Sequence, residues 1–309
     1  MILQPDENKT AQTKPILYTL LTNQKQKALY IICTLVFYNK TMVTKNISLG
    51  KNEVRLLFSL ESKKISIFSF KDAKLILKTS NASVKNVIYR LKKKKRIKEI
   101  QKGRYLLAPA VSGLKAYWAE HPFIVANSIL KEYYIGFWTA LNYWGFTEQV
   151  PKTIFIAVKN RKRPFSYNKQ KFKFITLNKK KFFGFTEKKI SNTLFKVSSK
   201  EKTIIDCLMH PEYCGGIVEA AKAIKNNHKE LDWNGLLKML NKLDINVVRQ
   251  RLGFILETLN IKKDILKKLM KKAKGFAWLD PVHPKKIINY SHKWQLKINV
   301  REEEIKGGY

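Results

Sequence analysis

"SNASVKNVIYRLKKKKRIKEIQKGRYLLAP", residues 80–109, sets ten basic side chains against one acid, Glu99. Val84, Val87, Ile88 and Leu91 fall at i, i+3, i+4 and i+7, the spacing of one apolar stripe along a helix, so this stretch predicts a helix with a buried face. The opposite face carries Ser83, Lys85, Asn86, Tyr89, Arg90 and Lys93, each able to reach a phosphate or a base edge. "RIKEI" and "RYLLA" then predict two strands joined by "QKG", where Gly103 can take the left-handed conformation that a short hairpin demands. A charge run is also how a plain solvated face looks. Its place at the end of that helix and on into the hairpin favours a surface for a polyanion.

Working outward, "NEVRLLFSLESK" (residues 52–63) predicts a first helix and "ISIF" a short strand. Ser69, with Asp72 three residues on, predicts an N-terminal cap ahead of "KDAKLILK", a second helix that "TSN" breaks. Helix, strand, helix, tight turn, helix and two-stranded wing is the order of a winged helix-turn-helix, expected over residues 42–110. In that layout Ser83, Lys85, Asn86 and Tyr89 are the candidates for base-edge contacts. Arg90, Lys93, Lys94, Arg96, Lys102 and Arg104 are the candidates for phosphate contacts.

The whole chain supports the partner class without identifying it. Its 309 residues are 45% hydrophobic, enough to bury a sizeable core, and 61 Lys and Arg against 23 Asp and Glu give a net charge of +38. Such a field draws nucleic acid. Abundant Lys, Asn, Ile, Phe and Tyr beside scarce Arg is also the bias of an A+T-rich genome, so part of the charge has a compositional origin. Cys33, Cys207 and Cys214 are too few for a disulfide framework and suit the cytoplasm. "ALYIICTLVFY" (residues 28–38) is too short to span a membrane, so no membrane association is expected, and residues 1–41 read as a leader or a start set too far upstream.

After Pro109 the pattern changes to that of a mixed α/β domain with a helical end, residues 111–309. "GLKAYWAE", "FIVANSILKE" and "YYIGFWTALNYWG" predict three helices whose aromatics form core. "TIFIAV", "FKFITL", "KFFGF" and "TLFKV" predict four strands, with the basic loop "KNRKRPF" (residues 159–165) as a second polyanion contact or simply a hairpin tip. Ser198 and Glu201 have capping-box spacing and open "KEKTIIDCLMH" as a helix that Pro211 ends. Four more helical segments come next, then a last strand, "WQLKINV".

No catalytic pattern emerges. Cys207, His210 and Cys214 offer only three local ligands, short of a structural zinc site, and no metal or other cofactor is expected. His121, His228, His283 and His292 stand apart from any nucleophile pattern, and neither glycine-rich phosphate loop is present.

"VSSKEKTIIDCLMHPEYCGGIVEAAKAI" and "VVRQRLGFILETLN", behind "YYIGFWTALNYWGFTEQVP", resemble the AbiEi antitoxins and related transcriptional regulators of abortive-infection toxin-antitoxin systems, over residues 50 to about 260. The resemblance is carried by Glu201, Lys202, Thr203 and Asp206, by Gly215 and Gly216, and by Arg251, Leu252 and Gly253. It implies a repressor that binds duplex operator DNA upstream of its own gene. It also implies a C-terminal domain that counters a nucleotidyltransferase-type toxin without an obligatory stable complex. Read physically, the same motif residues have structural roles in capping, in a tight turn after Pro211 and in helix packing at Gly253. A stand-alone regulator, a general nucleic-acid clamp and an RNA-acting enzyme are the alternatives.

Overall fold

The computed structural model describes residues 48–110, 119–190, 193–271 and 274–307. Two compact units divide the chain, Met1–Val54 and Arg55–Tyr309. In the first, residues 48–54 are described, and Gly50 N–H donates to Glu53 Oε2 (2.9 Å). The predicted leader and the helix expected at "GLKAYWAE" lie wholly or mostly outside the described residues.

Helix α1 (Lys51–Ser62) runs to strand β1 (Ile67–Ser69), which feeds α2 (Phe70–Leu77). Ser69 caps α2 as its spacing predicts: its hydroxyl accepts from Asp72 N–H, and Asp72 Oδ2 accepts from Ser69 N–H (2.7 Å). Lys78, in the left-handed region at φ 52°, ends α2, and Ser80 caps α3 (Asn81–Lys93) by accepting from Ser83 N–H (3.2 Å). Only residues 78–80 separate the two helices. β2 (Ile97–Gln101) and β3 (Arg104–Leu107) form an antiparallel hairpin that turns at Gly103, φ 73°, and β1 pairs with β3 to give a three-stranded sheet in the order β1-β3-β2. Leu56 and Leu60 of α1, Phe68 of β1, Leu77 of α2 and Val84 and Leu91 of α3 are buried.

A six-stranded mixed sheet in the order β6-β7-β5-β4-β9-β8 organises the larger part of the chain. Its strands are β4 (Tyr133–Ile135), β5 (Thr153–Val158), β6 (Phe165–Tyr167), β7 (Gln170–Thr176), β8 (Phe185–Ile190) and β9 (Thr193–Ser198). α4 (Pro122–Ile129) precedes it, and α5 (Phe137–Tyr143) is inserted after β4. β5 with β7 and β4 with β9 are parallel; the other pairs are antiparallel. One face carries Tyr133, Ile135, Ile156, Phe172 and Phe195, clustered with Phe123 and Val125 of α4 and with Ile100 and Leu106 of the small hairpin. The other carries Tyr134, Phe155 and Ala157 against the helices downstream. These are α6 (Lys200–Met209), α7 (Ile217–Asn227), α8 (Trp233–Leu243), α9 (Asn246–Thr258) and α10 (Lys263–Leu269). A three-stranded sheet in the order β10-β12-β11, of Ala277–Trp278, Leu296–Ile298 and Asn289–Ser291, and α11 (Glu302–Lys306) complete the fold.

Three local expectations are corrected. "YYI" is strand, not helix: Tyr133, Tyr134 and Ile135 are buried on both faces of the sheet, and extended Gly136 (φ −138°, ψ −171°) switches the chain into α5. A strand covered on both faces reads as a continuous apolar run. "KFFGF" is a turn rather than a strand, with Gly184 at φ 73° and the strand beginning at Phe185. Ser199, not Ser198, caps α6, accepting from Lys202 N–H (3.2 Å). Ser198 is the last residue of β9, and its buried hydroxyl is bonded to Thr203 Oγ1 (2.7 Å).

Candidate nucleic-acid interface

The two faces of α3 separate cleanly. Val84, Val87, Ile88 and Leu91 are buried, while Lys85, Asn86, Tyr89, Arg90 and Lys93 are exposed and Ser83 is half-buried. Tyr89 is 66% exposed, a large aromatic left in water on a helix whose aliphatic stripe is covered. The buried stripe fixes which face points outward, because a turn of the helix about its axis would expose four aliphatic side chains.

The predicted phosphate-contacting residues have different fates. Lys102 is exposed and Arg104 half-buried, one on each side of the Gly103 turn. Arg96 is drawn into the framework, its guanidinium donating to Ala108 O (3.0 Å) and so tying the end of α3 to the end of β3. Half-buried Lys94 is the C-cap residue of α3. The lone acid is structural as well, since Glu99 accepts from Lys92 Nζ and from Gly103 N–H (3.2 Å). The bond from Lys92 holds the Glu99 carboxyl below the usual carboxylate range. Lys92 is thus neutralised at close range within the run. Lys98 Nζ lies 5.6 Å from the ring centre of Tyr167 on β6. The exposed basic loop Arg161, Lys162, Arg163 leads into that same strand. The Lys98–Tyr167 contact joins residues far apart in sequence, and nothing in the sequence pointed to it.

The motif residues of the larger half form a second constellation, wholly interior. Lys202 and Asp206, one turn apart on α6, are both fully buried and pair through Nζ and Oδ1. Tyr134 on β4 closes the ring: Lys202 Nζ donates to its hydroxyl (3.1 Å), and that hydroxyl donates to Asp206 Oδ2 (2.9 Å). Burial, with the Asp206 charge beside it, pushes the Tyr134 phenol well above the usual tyrosine range, so it stays a neutral donor. The ammonium lies 5.4 Å from the ring of Tyr134 and 5.5 Å from that of Phe183. Gly184 leaves the space: a Cβ there would stand 3.1 Å from Lys202 Cβ and Cγ.

The remaining motif residues fasten elements together. Thr203 Oγ1 donates to Ser199 O (2.7 Å), and the Glu201 carboxylate accepts from Asp232 N–H (3.1 Å), holding the start of α8. Arg251 donates to Leu208 O (2.6 Å) at the end of α6 and to Trp278 O (3.0 Å), and burial lowers its pKa to about 10. Gly215 and Gly216, at φ 79° and 91°, make the turn into α7. Asp280 Oδ2 accepts from Ile217 N–H (2.8 Å) there and stands 2.8 Å from where a Cβ on Gly216 would be. Gly253 lies against Trp294, whose ring atoms would be 2.1–2.5 Å from an added Cβ.

Cys207 and Cys214 are fully buried free thiols, and burial together with a bond to Cys207 pushes Cys214 well above the ordinary thiol range. That is the setting of inert core cysteines. Among the described residues no three His, Cys, Asp or Glu side chains converge as metal ligands. No helix among them is long and apolar enough to cross a membrane.

No family model and no curated protein matches the chain. Among solved structures, it is similar to the crystal structure of the RV2827C protein from Mycobacterium tuberculosis. The TM-score is 0.58 at 12% identity, over 84% of this chain and 94% of that one. At that identity the likeness concerns the fold: a mixed α+β arrangement shared over nearly the whole of the mycobacterial chain.

Proposed function

We propose that this chain is a DNA-binding transcriptional repressor and antitoxin, and that residues from α1 to β3 act as a winged helix-turn-helix on operator DNA upstream of its own gene. The observation that carries the reading is the outward face of α3. Lys85, Asn86 and Tyr89 are exposed there in one row, Ser83 stands half-buried beside them, and Arg90 and Lys93 continue the row toward the hairpin. A helix so presented, after a three-residue turn, suits the major groove. Asn and Lys supply the donors that read adenine and guanine edges, while Lys93, Lys102 and Arg104 neutralise phosphates. The antitoxin role rests on the motif resemblance to the AbiEi group: the larger α/β half counters a nucleotidyltransferase-type toxin without a lasting complex.

The test is fluorescence anisotropy of the full chain on its own upstream duplex and on a shuffled duplex, titrated across salt. A specific repressor holds the first duplex at salt that strips the second. Equal and equally salt-sensitive binding to both defeats the operator reading, leaving only the attraction of a +38 chain for polyanions. The antitoxin half is tested apart, by co-expression with a nucleotidyltransferase encoded beside it; loss of growth that the chain does not relieve rejects that half alone.

A further inference from the structure

The strand β11 and the loop before it form a surface unlike the rest of the molecule. Of ten large hydrophobic side chains exposed among the described residues, four fall between positions 282 and 290: Val282 (55%), Ile287 (38%), Ile288 (55%) and Tyr290 (44%). β11 is an edge strand, paired only with β12 among the described residues, and the Tyr290 N–H is satisfied by the side chain of its neighbour, Asn289 Oδ1 (2.8 Å). A strand of a second chain would replace that bond with a ladder. A cavity of about 710 Å³ is lined by Asn289, Tyr290 and Ser291 of β11, and a second of about 880 Å³ by the loop before it. The two share Ile288, Arg301 and Glu303 as walls, which makes a groove beside α11.

Charge selects the occupant. Elsewhere the chain carries a large excess of positive charge, which keeps two copies apart. In this groove Glu302 pairs with Lys306 (3.4 Å) and Glu304 accepts from Arg301 N–H (3.1 Å), while Glu303 and Lys286 stand exposed, so both signs share one small face. A two-fold interface brings one surface against itself, and mixed charge suits such self-meeting, because the acids of one copy face the bases of the other. An exposed edge strand is self-complementary in the same sense, because an antiparallel pair is two-fold symmetric.

We propose that this face is a dimerisation surface, its occupant a second copy of the chain, joined along β11 with Glu303 and Lys286 reciprocally opposed. This goes beyond the DNA reading and is tested without DNA. The measurement is sedimentation velocity of the full chain over a concentration series. A concentration-dependent dimer is expected. Glu303→Lys and Lys286→Glu should each weaken it by about tenfold, and the double exchange should restore it to within about threefold. Both positions are on the surface, so neither exchange threatens the fold, and circular dichroism of each variant checks this. A chain that stays monomeric throughout the series overturns the proposal. So does a dimer indifferent to both single exchanges, or one that the double exchange fails to rescue. Protection of the Tyr290 amide from hydrogen exchange that rises with concentration is the second expected result; a flat response removes β11 from the interface.

Discussion

Lys202 has three ammonium protons and, in the interior, three places to put them: Asp206 Oδ1, the Tyr134 hydroxyl and the faces of the rings around it. Because the members of the ring satisfy one another, the pair tolerates complete burial that would otherwise be costly. Removing one charge strands the other. Lys202→Met is expected to destabilise the protein by about 3–5 kcal/mol in urea denaturation, and Lys202→Met with Asp206→Leu to recover most of that loss. Tyr134→Phe, which removes two bonds to charged groups and leaves the ion pair, should cost less, about 1.5–3 kcal/mol. A double variant no better than Lys202→Met would mean that the ring has a role beyond its own electrostatics. The sequence exposed Lys202 and Asp206 as a motif, but Tyr134 stands 68 positions from Lys202, and no local spacing links them. Gly253 was legible as a packing position, and its reason is now specific. Gly253→Ala gains about 1 kcal/mol in helix propensity yet drives a methyl into the Trp294 ring, so a net loss of about 2 kcal/mol or more is expected in the same denaturation assay.

At the level of elements, the legible features were those encoded locally. The Ser69–Asp72 cap, the stripe of α3 and the glycine of the hairpin each depend on residues within a turn or two, and each stands where its spacing puts it. β4 could not be read this way. An uninterrupted "YYI" fits a buried strand and a buried helix equally, and the neighbours that decide, β5 and β9, come later in the chain. The turn at "KFFGF" misled for the converse reason: its aromatics are drawn inward by Tyr134 and Lys202, so apolar content there marks packing and not pairing. α3 also carries the prediction that separates reading from holding. On the proposed function, Lys85→Ala and Asn86→Ala should each cost about 1–3 kcal/mol at one operator position and little on shuffled DNA. Lys93→Ala should weaken both alike. Anisotropy on single-base operator variants locates the position; a uniform loss for all three variants would remove α3 from base recognition.

For the whole molecule the question is whether a charge of +38 acts as a field or through particular contacts. A field depends on the number of charges, whereas counterion release depends on which phosphates are touched, and the two diverge when equal charge is removed from different places. Lys93, Lys102 and Arg104 lie at α3 and its hairpin, while Lys263, Lys267 and Lys268 are exposed on α10, packed beside α9. Changing either set to glutamine lowers the net charge equally. If binding runs through the α3 surface, the first set should flatten the slope of log affinity against log salt by about 0.9 for each phosphate no longer touched, approaching about 2.7 in all. The second set should leave the slope within error, since a cation that touches no phosphate releases no counterion from the duplex. Equal flattening by both sets would mean that nucleic acid meets the chain on no fixed face, and the outward row on α3 would then be solvated charge and nothing more.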